Sequence, residues 1–272
     1  MPELPEVETT LRGLKPWVVG ARIKELVVYD RRLRWPIASD LPEILAKKTI
    51  RGLSRRAKYL LFDVGPGSLI VHLGMSGSLR ILEAACAPSR WDPFDLVFAG
   101  SPGLCLRMRD PRRFGALLYT EDPATHPLIA PLGPEPLEPG FEGSYLHARA
   151  RGRTLAIRDF LMNGHIVAGI GNIYAHEALF LAGIRPQRAA GRVSRAECDH
   201  LADAIVTVLT QAIAAGGTTL KDFRGSDGRP GYFSQELNVY GRTGAPCHRC
   251  QTPIRRRVSG ARSSYYCPSC QR

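Results

Sequence analysis

Long apolar runs are missing from the 272-residue sequence: none approaches the ~20 residues that cross a bilayer. The first residues also lack the basic-then-apolar layout of a secretory signal, so a cytoplasmic, membrane-free protein is expected. Lysine is scarce. It supplies six of the 37 basic residues, which leaves Lys58 and Lys221 as the only lysines beyond Lys48. Arginine grips phosphate through a planar fork and so suits a polyanion backbone, although a GC-rich genome would give the same bias. Cysteine is thinly spread up to residue 246, where Cys86, Cys105 and Cys198 read as reduced, partly buried thiols without chemistry. Acidic residues vanish from residues 242–272, a stretch with seven arginines.

What is present describes a globular chain long enough for two domains, with 44% hydrophobic and 23% charged residues. The net charge of +12 and pI of about 9.7 imply a polyanionic partner, because clustered cations gain affinity by releasing the counterions of nucleic acid. Residues 5–17 place Val7, Leu11 and Leu14 at helical spacing. From 21 to 119 the pattern turns to short β-branched runs broken by Gly and Pro, predicting strands at 23–29, 59–64, 68–73, 79–82, 96–98, 104–107 and 116–119. Their spacing favours an antiparallel sandwich or barrel. Five prolines between His126 and Gly143 mark a semi-rigid linker. Beyond it the period is helical, over 145–161, 172–182 and, capped by Ser194 and Glu197, 194–215.

The opening Met1-Pro2-Glu3-Leu4-Pro5-Glu6-Val7-Glu8 admits two readings. Taken alone it is an ordinary helix start, with prolines in the first turn and glutamates at the positive end of the helix dipole. If Met1 is removed, however, Pro2 becomes a terminal secondary amine able to attack a sugar aldehyde carbon and form an iminium ion, with Glu3 beside it to trade protons. An internal proline cannot do this.

Further stretches stand out. Arg55-Arg56-Ala57-Lys58 precedes an apolar strand and reads first as a solvated strand end. The bend His72-Leu73-Gly74-Met75-Ser76-Gly77-Ser78 either buries Met75 in a core, the reading sequence alone favours, or pushes it out to insert into something. Arg109-Asp110-Pro111-Arg112-Arg113-Phe114-Gly115 could wedge Phe114 into a base stack while an arginine holds phosphate. Gly169-Ile170-Gly171-Asn172 opens a helix and offers backbone N–H groups to phosphate. A dinucleotide fold is rejected, since the third glycine and the βαβ unit are absent. The run from Gly216 to Phe233, too glycine-rich for regular structure, is either functional or disordered. Finally, Cys247-x-x-Cys250 and Cys267-x-x-Cys270, 16 residues apart, fit a closed four-thiolate zinc site of structural kind, with His248 an idle neighbour. The arginine-rich ribbon around it is expected to meet nucleic acid, with Arg262 better placed than Arg255-Arg256-Arg257 to reach a groove.

This ordered set, spanning almost the whole chain, resembles the formamidopyrimidine-DNA glycosylases, bacterial enzymes that remove oxidised purines such as 8-oxoguanine. The resemblance implies an α+β multidomain protein: an N-terminal antiparallel β-sandwich with flanking helices, a helical helix-two-turns-helix domain, and a C-terminal zinc-ribbon hairpin. The expected divisions are residues 1–130, a Pro-rich linker at 131–144, 145–240 and a four-cysteine zinc finger at 241–272. It implies Pro2 as Schiff-base nucleophile, Glu3 as general acid/base, Glu6 as its support and Lys58 at the sugar-phosphate. Met75, Arg112 and Phe114 would fill the gap left by the flipped nucleotide, with Arg112 reaching the orphaned cytosine. Arg113, Gly171, Asn172 and Arg262 would contact phosphate, and Lys221 to Tyr232 would close over the extruded base. The partner would be double-stranded DNA carrying an oxidised base, the protein a monomer, and one structural Zn2+ the only cofactor. Asn163-Gly164-His165 departs from the acidic residue often found there and puts the bonding of that turn in doubt. The rivals are an endonuclease VIII-like enzyme for oxidised pyrimidines, against which Leu4 and the Met75, Arg112, Phe114 set argue, and a non-catalytic zinc-ribbon protein that only binds nucleic acid.

Overall fold

The computed structural model describes residues 2–100, 103–216, 237–259 and 262–272. They divide into two compact units, the first running to Pro131 and the second from Leu132 to Ala214 together with the C-terminal part of the chain.

In the first unit, α1 (Leu4–Val18) leads into β1 (Ile23–Val28), a short α2 (Leu41–Leu45), β2 (Gly52–Arg56), β3 (Tyr59–Asp63), β4 (Ser68–His72), β5 (Ser78–Glu83), β6 (Phe94–Phe98), β7 (Leu104–Arg109) and β8 (Ala116–Thr120). The strands form two four-stranded antiparallel sheets, ordered β1-β6-β7-β5 and β2-β3-β4-β8. Alternating side chains from both sheets, among them Leu26, Phe62, Leu69, Phe94 and Leu106, fill the interior so fully that the void among them measures about 10 Å³. Helix α1 adds its apolar stripe of Val7, Leu11, Leu14 and Val18 to this core. Each such buried aliphatic contributes about 1.5–3 kcal/mol, which is what fixes the first turn of α1 in place.

The expected strands are all present, with ends shifted by a residue or two. β2 and α2 were not expected. The Arg55-Arg56 pair masks β2, whose register nonetheless sets Leu53 opposite Phe62 and Arg55 opposite Leu60. Burial pushes the thiols of Cys105 and, in the second unit, Cys198 up to about 11, so neither is poised as a nucleophile.

The second unit holds α3 (Gly143–Ala150), α4 (Ile157–Leu161), α5 (Asn172–Leu181), α6 (Arg195–Ala214) and the hairpin of β9 (Arg255–Ser259) and β10 (Arg262–Tyr266). Ser194 and Glu197 cap α6 as expected: Ser194 N–H donates to Glu197 Oε2 at 2.8 Å and Glu197 N–H to Ser194 Oγ at 3.3 Å. The single helix expected over 145–161 is two, because Gly152 takes a left-handed φ of 72° between α3 and α4. The Pro-rich stretch does not hang free. Gly133 N–H donates to Gly164 O, and Ala168 N–H to Pro134 O, so its first residues are bonded into the second unit. The turn at Asn163-Gly164-His165 closes without an acidic residue, since Asn163 Oδ1 accepts from His165 N–H at 3.0 Å.

Candidate active site

Pro2 and Glu3 lie buried at the head of α1. Glu3 N–H donates to Glu6 Oε2 at 2.8 Å, and the two residues form a capping box that fixes both carboxylates at the positive end of the helix. The helix-start reading is therefore correct as structure. Met1 lies outside the described residues. One turn further on, Glu8 accepts from Arg55 Nε at 2.9 Å, and the same guanidinium donates to Ala57 O at 3.1 Å. Burial alone would raise the Glu8 carboxyl, but its bonds to Arg55 and then Arg12 outweigh that and hold it below its ordinary value. Arg55 is thus no solvated strand end. It ties the first turns of α1 to the β2–β3 turn, where Ala57 adopts a φ of 52° and presents the half-buried Lys58.

Strand pairing brings three loops to one end of the sandwich. Tyr59, just after Lys58, pairs with His72; His72 pairs with Ala116, just after Phe114; and Ser78 pairs with Arg109. The β4–β5 and β7–β8 loops meet backbone to backbone, so that a Cβ on Gly74 would fall 2.5 Å from Gly115 N. Buried Asp110 anchors the second loop, accepting from Gly115 N–H at 2.7 Å and Arg112 N–H at 3.3 Å. At their tips Met75 is 38% and Phe114 44% exposed, with the Arg112 guanidinium 5.0 Å over the Phe114 ring. The core reading of Met75 is therefore wrong: Gly74 and the Gly77 N–H bond to Leu73 O turn it outward. Arg34, His72, Gly74, Met75 and Phe114 line a cavity of about 370 Å³ there. Burial, then the charges of Lys58 and Arg34, push the His72 imidazole down to about 4, so it stays neutral and its Nδ1 accepts from Gly74 N–H at 3.0 Å. Arg113 points back instead, bonding Arg90 O at 2.8 Å and Asp30 Oδ2 at 3.0 Å.

In the second unit Gly171 is the N-cap of α5, and Asn172 Nδ2 donates to Ser263 O of β10 at 3.3 Å. Behind this helix head, the buried Glu177 carboxylate accepts from Asn238, Val239 and Tyr240 N–H at 2.7, 3.0 and 2.9 Å. His176, Tyr240 and Tyr265 pack their rings together beside it, with centroids 4.9 to 6.0 Å apart. Arg262 opens β10 with an exposed side chain. Lys221 and Tyr232 lie outside the described residues.

The four tail cysteines come together. All four Sγ atoms lie within 4.8 Å of one another, with Cys250 3.4 Å from both Cys267 and Cys270. Disulfides need ~2.05 Å. Sulfurs placed tetrahedrally at ~2.3 Å from a zinc ion would stand about 3.8 Å apart, so the set fits a closed structural metal site. Arg249 N–H to Cys247 Sγ and Cys270 N–H to Cys267 Sγ, both 3.4 Å, are the contacts that thiolates accept. His248 is not part of the cluster. Sequence reading overlooked Arg34 and Glu177; the only signals were an Arg-Leu-Arg-Trp run and a lone acidic residue inside an apolar helix.

Three family models match along the chain: the formamidopyrimidine-DNA glycosylase N-terminal domain over residues 1–117, the H2TH domain of the same enzymes over 132–224, and the zinc finger found in FPG and IleRS over 244–272. The chain belongs to the formamidopyrimidine-DNA glycosylase family. The formamidopyrimidine-DNA glycosylase of Thioalkalivibrio sulfidiphilus is 55% identical over 100% of both chains. Two solved structures of Lactococcus lactis Fpg are similar at 34% identity. One, in complex with DNA containing an abasic site, has a TM-score of 0.90 over 99% of each chain. The other, in complex with Fapy-dG DNA, has a TM-score of 0.89 over 99% of this chain and 100% of that one. This membership carries the fold class and sets aside the non-catalytic ribbon reading.

Proposed function

We propose that this chain removes oxidised purines, such as 8-oxoguanine and formamidopyrimidines, from double-stranded DNA and then cuts the strand at the resulting abasic site. A base inside a duplex is out of reach, so the nucleotide must first be flipped out, at a cost of a few kcal/mol that is least for damaged bases. Met75 and Phe114 fill the space it leaves, and Arg112 faces the orphaned cytosine. With Met1 removed, the Pro2 nitrogen attacks the anomeric carbon as the base departs with a proton. An α-amino group titrates near ~8, so much of it is neutral and nucleophilic at cellular pH. Glu3 passes a proton to the ring oxygen as the sugar opens to an iminium ion, and Glu6 holds Glu3 in position. The iminium acidifies the neighbouring C–H bond, and successive eliminations release the 3′ and 5′ phosphates. Lys58 supplies charge at the sugar-phosphate.

The observation that best supports this reading is the Arg55 bridge from Glu8 to Ala57 O, because it joins the proline end of α1 to the Lys58 turn through one rigid side chain. Gly171, Asn172 and Arg262 contact backbone phosphates, as does Arg113 once its present partners are exchanged, and Lys221 and Tyr232 belong to the segment that covers the flipped base. Zinc at Cys247, Cys250, Cys267 and Cys270 holds the ribbon and takes no part in the chemistry. The protein works as a monomer in the cytoplasm; among the described residues no helix is long and apolar enough to cross a membrane.

The test is to incubate the protein with duplexes carrying 8-oxoguanine opposite cytosine, or an oxidised pyrimidine, and add borohydride to reduce any imine. A covalent adduct with the 8-oxoguanine duplex is expected. Absence of adduct with either duplex would sink the enzyme reading, and strong preference for the pyrimidine would sink the purine assignment.

A further inference from the structure

The segment between β1 and α2 carries a cation that no step of the proposed chemistry uses. Arg34 is exposed, yet the chain around it is fixed. Leu33 and Ile37 are buried in the sandwich core, Ile37 N–H donates to Arg31 O at 3.0 Å, and the Arg31 guanidinium returns to Ile37 O and Ala38 O at 3.0 and 2.8 Å. Arg34 N–H itself donates to Gly115 O at 3.0 Å, so the segment is bonded to the loop that bears Arg112 and Phe114. The Arg34 guanidinium lies 4.8 Å from the centroid of the Trp35 ring. Stacking of this kind steadies the guanidinium plane and leaves its N–H edge for a ligand.

Arg34 lines the cavity of about 370 Å³ beside His72, Gly74, Met75 and Phe114, and among the described residues there it is the one permanent cation. No carboxylate lines that cavity, and among the described residues none pairs with Arg34. His72 adds a donor without adding charge. Burial, then the charges of Lys58 and Arg34, keep its imidazole neutral, and its Nδ1 accepts from Gly74 N–H, so the ring proton sits on Nε2. A hollow with a fixed positive charge and no carboxylate suits an oxyanion. The Met75 and Phe114 side chains beside it suit bases instead, so one hollow can serve both the backbone and the stack.

We propose that Arg34 is a further DNA contact of this enzyme, gripping a backbone phosphate of the strand that carries the flipped nucleotide. The strand follows from register. His72 of the cavity wall pairs with Tyr59, the residue after Lys58, so Arg34 shares the side of the wedge on which Lys58 meets the sugar-phosphate. The proposal rests on the glycosylase reading for the flipped nucleotide, and through Gly115 it couples a phosphate grip to the wedge loop.

The test follows binding of a duplex carrying a tetrahydrofuran abasic analogue as salt is varied, with the full-length zinc-loaded protein and the variants Arg34→Gln and Arg34→Lys. Arg34→Gln should lower the slope of log K against log salt by about one, whereas Arg34→Lys should keep it. Phosphates near the analogue, on each strand, are then replaced one at a time by a neutral methylphosphonate. At one lesion-strand position the replacement should weaken wild type by about tenfold and Arg34→Gln by less than about twofold, because its partner is already gone. Equal slopes in wild type and Arg34→Gln, the absence of any such position, or coupling found only on the opposite strand would each overturn the proposal. Arg34→Met, which keeps the stem over Trp35, replaces Arg34→Gln if that variant melts well below wild type. A tetrahydrofuran has no aldehyde carbon, so the readout is binding alone. A wild type that fails to prefer this duplex over an undamaged one would count against base flipping, and that result is read separately from the slopes.

Discussion

Pro2 and Asn172 each stand at the head of a helix, but the two helices rest on different foundations. Helix α1 is seated by the large apolar core of the sandwich and tied to it by the ion pair of Glu8 with Arg55. Helix α5, itself almost wholly buried and packed on α6, is backed as well by the cluster of Phe180, Val239, Cys247, Ile254 and Cys267 and by the bonds that converge on Glu177. One helix is held by buried carbon and an ion pair, the other by buried carbon together with a buried carboxylate and, through Phe180, the four-cysteine cluster. The two units should therefore fail under different insults.

The largest effect is expected at α1. A form that retains Met1 should still bind duplex DNA yet give no borohydride adduct; an unchanged adduct yield would remove Pro2 from the mechanism. Chelation strikes the other side. It should abolish DNA binding while the near-ultraviolet circular dichroism of the sandwich persists, and simultaneous loss of both would show that the two foundations are not independent. Within the second unit, Glu177→Ala removes the acceptor of three N–H groups, one buried and two partly buried, and should cost at least about 2 kcal/mol in urea unfolding, confined to the zinc-bearing unit. A transition that shifts the sandwich equally would break the comparison.

Arg55→Leu is the corresponding test of the first unit and should cost about 1–3 kcal/mol. It should also slow adduct formation by loosening the Lys58 turn. Its pH signature is fixed by sign. The Glu8 carboxyl is held below its ordinary value of 4.5, so the pair stabilises the folded state above that pH and its contribution is lost as pH falls through the folded value. The gap between wild type and variant should close as the solution is acidified, and a constant gap would mean that the pair contributes little. Smallest in stability is Phe114→Ala, expected within about 0.5 kcal/mol of wild type because the ring is exposed, while excision of 8-oxoguanine falls several-fold. A large loss of stability would return Phe114 to the core.

Periodicity made the sandwich legible because its strands alternate cleanly, and the capping box of α6 was visible in Ser194 and Glu197. Spacing alone brought the four cysteines together. What stayed hidden depends on long-range pairing. Arg55 looks solvated until Glu8, 47 positions earlier, is seen beside it, and Glu177 looks like an error in an apolar helix until residues 238–240 return to it. Met75 was misjudged because hydrophobicity argues for burial, whereas the backbone of the neighbouring loop decides the direction of the bend. The break at Gly152 was missed because a helical period continues on both sides of it.

That loop contact sets a limit on how the tips can change. Gly74 and Gly115 touch without room for a single added carbon, so the segments bearing Met75 and Phe114 are inherited as one tool. A loop borrowed from a relative would fit only if its opposite number came with it, and variation at one tip is bounded by what the other tolerates.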